Sequence, residues 1–283
     1  MRARASRGRA GGADRALLWT ASGGMVLLAA STIFPLVFTL NTALKSSRDF
    51  IIDGIGPVEH PVASNFGIAW SSFSIGTYAA NSAIVTAIGV VLVLAVASLG
   101  GFALAQLRFR FRRALTLLLL TGLIIPVQVI FVPLFHVVID LGLLNSRIGL
   151  GMVYAAFFSP FGIYLMTTYY GTLPRALMEA ARVDGASVWQ TYLHIVLPLG
   201  RPALVTLGIL TTLNCWNDVL LALLVLQDSR TLMIGIAALQ GEYGADIPVI
   251  AAAVIVAVTP VLALFLFFQR KILSGIMLGS VKG

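Results

Sequence analysis

Few residues of this chain could do chemistry, and most of them lie in apolar surroundings. Asp218 is the one acid inside an otherwise uncharged apolar run, and Asn214 and Asn217 precede it. On a helix, positions three and four apart share a face, so Asn214 can lie beside both Asn217 and Asp218. Two amides and a carboxylate in such a place suit hydrogen bonding to the hydroxyls of a hydrophilic solute. They equally suit a polar contact between helices, with Trp216 as an interfacial anchor. Gln128, between Pro126 and Pro133, is a second candidate. Prolines at membrane depth free backbone groups, which line a cavity or find partners on neighbouring helices. Metal and covalent chemistry find no support. His60, His136 and His194 are far apart, and no H-E-x-x-H occurs. The single cysteine, Cys215, allows neither a disulfide framework nor a cysteine metal site. None of the three lysines follows a glycine, so there is no Walker A loop, and ATP-driven work would need a separate subunit.

The elements that must position these residues are membrane spans. Of 283 residues, 59% are hydrophobic and only 11% charged, against about 25% charged in a soluble domain. The expected fold is all-α and polytopic. About 20 apolar residues cross a bilayer, and six runs qualify: 16–42, 78–106, 114–138, 148–171, 202–226 and 248–268. The first is expected to stay uncleaved, because a secretory signal has a shorter apolar region. Residues 1–15 form a basic tail without apolar pattern, and 16–283 a single transmembrane domain. With six spans both termini share a side. Fifteen of the 19 Lys and Arg residues then fall on that side and four on the other. The positive-inside rule makes the first side cytoplasmic. This placement accounts for the +8 net charge without nucleic acid; membrane lipid is the expected surrounding.

Residues 172–201 are a charged, amphipathic insert between two spans. Thr172 is the expected N-cap of a first helix, with Pro174 in its first turn. Gly185 suits the left-handed residue that ends it. Ser187 and Gln190 fit a capping box, S-x-x-Q, for a second helix. Pro198 is expected to stop that helix and Pro202 to open the next. Ala176, Leu177, Ala180, Ala181 and Val183 give a face to pack, while Glu179 and Asp184 could meet basic residues of a partner. A helix–turn–helix could bind DNA, but this one is tethered at both ends and has few basic residues. A protein partner is the better reading.

Within the insert, Glu179-Ala180-Ala181, Gly185 after three residues, and Ile195-x-Leu197-Pro198 after nine more resemble the EAA loop of ABC importer permeases. Asn81-Ser82, Leu107-Arg108-Phe109-Arg110, Ile125-Pro126, Val132-Pro133-Leu134-Phe135, Trp216-Asn217-Asp218 and the end Gly279-Ser-Val-Lys-Gly283 look like its carbohydrate branch. The pattern is similar to the six-span permease subunit of maltose transporters. The resemblance implies a type I ABC importer permease fold and no enzyme activity in this chain. It makes Glu179, Ala180, Ala181, Asp184, Gly185, Ile195, Leu197 and Pro198 the residues that couple to an ATPase. It also implies partners: a second, distinct permease, two ATPase subunits binding ATP and Mg, and an extracellular solute-binding protein docking on 43–77 and 227–247. The chain would sit in a bacterial cytoplasmic (inner) membrane, importing a sugar by alternating access. The alternative is an ion-coupled secondary transporter, which needs an ion site near the midplane. Asp218 lies about 24 Å along a helix from Pro202, which is off-centre, so it lends that alternative only weak support.

Overall fold

A computed structural model describes residues 10–242 and 246–280, with side chains over 19–239 and 246–269. Arg2, Arg4, Arg7, Arg9 and Lys282 lie outside the described residues, as does part of the 227–247 loop. The described residues are helical, with no strand among them. In chain order the helices are α1 (Ala10–Ala43), α2 (Ser47–Ile52), α3 (Ser64–Gly67), α4 (Ile75–Gln106), α5 (Arg112–Ile124), α6 (Val127–Asp140), α7 (Arg147–Gly171), α8 (Arg175–Val183), α9 (Val188–Thr191), α10 (Leu197–Leu199), α11 (Arg201–Asn217), α12 (Leu220–Val225), α13 (Leu232–Glu242) and α14 (Ile247–Ser280). Two π-helical turns, Ile68–Ser72 and Tyr192–Val196, follow α3 and α9. α1 already begins at Ala10, inside the stretch assigned to the tail.

Four helices among the described residues are long and apolar enough to cross a membrane: Trp19–Ala43, Ile75–Gln106, Arg147–Gly171 and Ile247–Gln269. The number reaches six if each of two bent pairs is one span: α5 with α6, and Val188–Leu199 with α11. The expected third span is therefore not one straight helix, since α5 and α6 meet at 106°. Pro126 has no N–H to continue α5 and holds Ile125 extended, at ψ 117°. The expected fifth run is also interrupted. α11 ends at Asn217, Asp218 is extended (ψ 135°), and α12 starts at Leu220.

The chain divides into two compact units. One holds the chain up to Ser72 and the stretch ending at Val256; the other holds the rest, from Phe73 and from Ala257. In the first, the polar connection after α1 is ordered by amides. Asn41 Nδ2 donates to Gly56 O (3.0 Å), and its Oδ1 accepts from Val58 N (2.8 Å). The buried Asn65 donates to Ala43 O and Lys45 O, both at 2.8 Å. The Lys45 ammonium, also buried, donates to Asp53 O.

The second unit is built on α4 and α7, which run parallel. Small residues set their contact: a Cβ on Gly151 would run into Ile88, one on Gly101 into Met166, and one on Gly162 would sit 2.8 Å from the Ala97 Cβ. Close backbone approach through small residues is how helices associate where lipid removes the hydrophobic drive between them. α11 lies against this pair in the opposite direction, with Leu207 near Gly162 and Cys215 near Gly89. Two apolar cores result. One gathers Tyr154, Cys215, Leu221 and Val225. The other, at the far end of the pair, gathers Phe102, Met166, Tyr170, Tyr192 and Val196.

Candidate functional site

The insert forms an elbow whose shape follows from local backbone chemistry. α8 starts at Arg175 with Pro174 as its cap residue (ψ 127°). Thr172 does not cap it. Its Oγ1 donates to Tyr169 O (2.7 Å) and so closes α7 instead. Pro174 decides this, because the residue before a proline is kept out of helical geometry and the new helix can begin only after it. α8 ends in a Schellman motif: Ala186 N donates to Ala181 O (2.9 Å) and Gly185 N to Arg182 O (3.1 Å). Gly185 sits at φ +77°. A Cβ there would meet nothing within 4 Å, so the need for glycine is purely one of backbone conformation.

The capping box of α9 forms as expected. Gln190 N donates to Ser187 Oγ (3.2 Å), and Ser187 N donates to Gln190 Oε1 (2.8 Å). Pro198 does not stop the helix. The π-helical turn Tyr192–Val196 widens the coil just before it, and the chain continues through α10 to Leu199. A π turn leaves room for a proline ring that would otherwise clash with the preceding turn. The direction changes instead at Gly200, where α11, with Pro202 in its first turn, departs at 71°.

Burial divides the elbow into two faces. Met178 and Ala181 pack downward, with Thr191, Tyr192 and Val196 beneath α9 and α10. Glu179, Ala180, Asp184 and Gly185 are exposed, as are Ala176, Leu177 and, at 87%, Val183. Ile195, Leu197 and Pro198 are half-buried. The expected packing face is therefore split. Ala181 alone of its five residues is buried, while Leu177 and Val183 are exposed, Val183 one turn on from Glu179 and next to Asp184.

The elbow is tied to the spans by groups whose roles the sequence did not reveal. Ser98 Oγ of α4 lies 2.9 Å from Tyr170 OH of α7 and 2.8 Å from Tyr192 OH of the π turn. Gln106 Nε2 donates to Tyr170 O (2.7 Å), and Tyr169 OH donates to Leu199 O (3.2 Å). Tyrosines near span ends suggest interfacial anchors, and a serine among small helix residues carries no signal of its own.

The polar residues singled out in the spans are not gathered into one cluster. Gln128, Asn214 and Asn217 are exposed, and Asn217 Nδ2 donates to Leu213 O of its own helix (2.8 Å). Asp218 is engaged on both oxygens. Oδ2 accepts from Tyr154 OH (3.0 Å) and Ala222 N (2.8 Å), and Oδ1 from Leu221 N (3.3 Å). It thereby caps α12. The same end carries a second clamp. Asn145, at φ +56°, accepts on Oδ1 from Gln227 N (2.6 Å) and Asp228 N (2.9 Å) and donates to Asp228 Oδ2 (2.7 Å). Asn81 Nδ2 donates to Arg230 O (3.0 Å), and Ser82 Oγ accepts from Leu232 N (2.8 Å). Residues 225–232 are thus pinned from two sides.

In the first unit, Lys45, Asp49, Asp53, Glu59 and His60 line a polar cleft of about 200 Å³. The Asp53 carboxylate accepts from Gly56 N (2.8 Å) and Ile55 N (3.2 Å). The Gly56 N–H, more than the nearby Lys45 charge, holds its pKa below the usual carboxylate value. Among the described residues no group of three or more His, Cys, Asp or Glu could hold a metal ion.

Residues 97–276 match the family described as binding-protein-dependent transport system inner membrane component. The chain is 33% identical over 262 residues to the diacetylchitobiose uptake system permease protein NgcG of Streptomyces coelicolor, covering 91% of this chain and 87% of that one. It is 33% identical over 279 residues to the arabinooligosaccharides transport system permease protein AraQ of Halalkalibacterium halodurans (94% and 97%). Against the melibiose/raffinose/stachyose import permease protein MelC of Bacillus subtilis the identity is 32% over 260 residues (91% and 94%). The fold is similar to a chain in the crystal structure of a bacterial ABC transporter involved in the import of the acidic polysaccharide alginate. There the TM-score is 0.79 at 22% identity, over 95% of this chain and 99% of the other.

Proposed function

The chain belongs to the family of binding-protein-dependent transport system inner membrane components, the permease subunits of ABC importers, and from that premise we propose that its elbow is the coupling loop of a sugar importer. The chain is a transport component and not an enzyme. Family membership replaces the secondary-transporter alternative. One observation carries the assignment of the elbow. Its capped turn holds an open apolar and acidic surface (Leu177, Val183, Glu179, Asp184) on a base packed against α4 and α7. A cleft on a separate ATPase, which binds ATP and Mg, takes that surface. Glu179, Ala180, Asp184 and Gly185 make the contact, and Ala181, Ile195, Leu197 and Pro198 seat it.

Closure of two ATPase subunits then moves the elbow and reorients the spans about a path shared with a second, distinct permease. The relatives are named for transport of diacetylchitobiose, arabinooligosaccharides, melibiose, raffinose and stachyose, which supports a sugar as this chain's cargo. The exposed amides of Gln128, Asn214 and Asn217 suit hydroxyl groups along the path. Asp218, its oxygens already engaged, borders that path as a cap. The charge asymmetry puts the elbow and both termini in the cytoplasm. The 43–77 and 227–247 segments then face outward, where a solute-binding protein docks.

The test is co-purification from mild detergent with identification by mass spectrometry. A Walker A protein accompanies the unaltered chain and is lost when Glu179→Ala and Gly185→Val are combined. Absence of any ATPase from an intact membrane complex would sink the coupling assignment. Sugars of the classes named above are then screened against the co-purified binding protein.

A further inference from the structure

We propose that Ser98, Tyr170 and Tyr192 form the joint through which movement of the elbow enters the spans, an inference that rests on the coupling role of the elbow. The three hydroxyls come from three separate elements: α4, the C-terminal turn of α7, and the π turn of the elbow. Ser98 Oγ is the shared partner, 2.9 Å from Tyr170 OH and 2.8 Å from Tyr192 OH. All three residues are buried, so no water competes for these bonds. A hydroxyl both donates and accepts. Ser98 can donate to one tyrosine while accepting from the other, and the reverse arrangement uses the same three oxygens. In either order each of the three hydroxyls keeps at least one hydrogen bond, so the junction tolerates a change of partner order.

The surroundings restrict what each ring can do. Tyr192 lies between Phe102 and Trp189, with ring centres at 5.1 and 5.3 Å. It rides on the π turn, an irregularity that inserts one residue into a helix and recurs at functional sites. The Tyr170 ring lies on the backbone of Gly200, where an added Cβ would come within 2.5 Å of its Cε1 and 2.8 Å of its hydroxyl. Gly200 is the bend between α10 and α11. Tyr170 therefore touches α4 through its hydroxyl, the α11 hinge through its ring, and Gln106 through its carbonyl. Beneath the elbow, Phe102, Gln106, Met178, Arg182, Val188 and Thr191 border a cavity of about 40 Å³, which leaves room for a small shift beside the joint. Ser98, Tyr170 and Tyr192 are positioning residues. Buried between helices, they act through the elements they join.

The experiment is hydrogen–deuterium exchange on the whole complex in nanodiscs, with and without ATP and vanadate. In the unaltered complex, nucleotide changes exchange in the elbow (175–190) and at the joint ends of α4 (98–107) and α7 (165–171). Tyr192→Phe keeps the ring between Phe102 and Trp189 but removes the hydroxyl. With it the elbow still responds, while the nucleotide-dependent change in 98–107 and 165–171 falls by about half or more. Ser98→Ala gives at least the same loss, since it removes the Tyr170 bond as well, and the double variant adds little to Ser98→Ala, because the Tyr192 bond is already cut there. Phe102→Leu, a packing change without loss of a hydroxyl, raises exchange with and without nucleotide alike and keeps the difference. An undiminished response of α4 and α7 in Tyr192→Phe overturns the joint while the elbow assignment stands. An elbow that does not respond in the unaltered complex overturns both.

Discussion

The two ends of the α4–α7 pair both bury polar groups, but they spend them differently. At the Asp218 end most side-chain bonds go to backbone: Asp218 accepts from the N–H groups of Leu221 and Ala222, Ser82 from Leu232, and Asn145 from Gln227 and Asp228, beside the two side-chain pairs Tyr154–Asp218 and Asn145–Asp228. At the elbow end Gln106 and Tyr169 also bond to carbonyls, but the centre is three hydroxyls from three elements that bond to one another. A carboxylate that holds two N–H groups of one turn fixes the shape of that turn. Hydroxyls that hold one another fix only distances between elements, and each can exchange donor for acceptor. On the proposed coupling role of the elbow, the first end serves as a frame and the second as an articulation, and the glycine contacts between α4 and α7 join the two. A permease needs both: a constant surface where the solute is received, and a movable seat where force is applied.

The sharpest way to break the frame is Asp218→Ala. It leaves Tyr154 OH and two N–H groups of α12 without their acceptor. Unsatisfied buried groups cost about 1–3 kcal/mol apiece, so the expected loss is about 3 kcal/mol after partial rescue by water. It is read as a lowered thermal midpoint of the detergent-solubilised chain. Asp218→Asn keeps one acceptor oxygen and recovers part of it. An unchanged midpoint for Asp218→Ala would show that the clamp does not stabilise the frame.

The elbow that would drive the articulation is disturbed by a smaller change of a different kind. Gly185→Val puts a branched residue at φ +77°, where the only obstacle is the backbone. The strain is about 1–2 kcal/mol, and each 1.4 kcal/mol is about a tenfold change in an equilibrium. The chain is expected to insert and fold with a nearly normal midpoint, while sugar uptake per ATP hydrolysed falls about tenfold. Asp218→Ala thus acts on stability first and Gly185→Val on coupling first. If both lowered the same quantity, the division between frame and articulation would be wrong.

What the sequence disclosed follows the range of the interactions. The Gly185 turn and the Ser187–Gln190 box involve partners within five residues and were legible from residue type alone. The α5–α6 break was half legible. Pro126 marks the place, but a proline in an apolar run either kinks a helix or ends it, and packing decides which. Thr172 reads as an N-cap of α8, but two adjacent helices compete for it, and Pro174 settles the matter in favour of α7. The stop expected at Pro198 failed because a π turn made room for the ring, and nothing in Tyr-Leu-His-Ile-Val announces that turn. The Ser98 junction was beyond reach, since its partners are 72 and 94 residues away and only the packing of α4 on α7 brings them together. Asp218 stood out as an acid in an apolar run, but the N–H groups it caps exist only because α11 ends at Asn217.

Two weaker clamps complete the comparison. Asn145→Ala removes two acceptor contacts and one donor contact from an exposed position, for about 1 kcal/mol. Faster deuterium uptake in 225–232, with the midpoint nearly unchanged, is the expected sign. The smallest effect belongs to Asp53, which does to the turn at Ile55 and Gly56 what Asp218 does to α12, but in open solvent. The Gly56 N–H favours the ionised carboxylate and lowers its pKa from the ordinary 3.8. A depressed acid lends stability that is complete above the unfolded value and is lost as pH falls through the folded one. The turn should therefore hold from neutral pH down to about 4 and loosen only below that. The Ile55 and Gly56 amide shifts, followed by NMR in nanodiscs, give the titration. Asp53→Asn keeps the acceptor oxygen without the charge and should flatten it. A midpoint above 3.8 would mean that burial or a neighbouring acid, and not the turn, controls Asp53, and the likeness to Asp218 would end there.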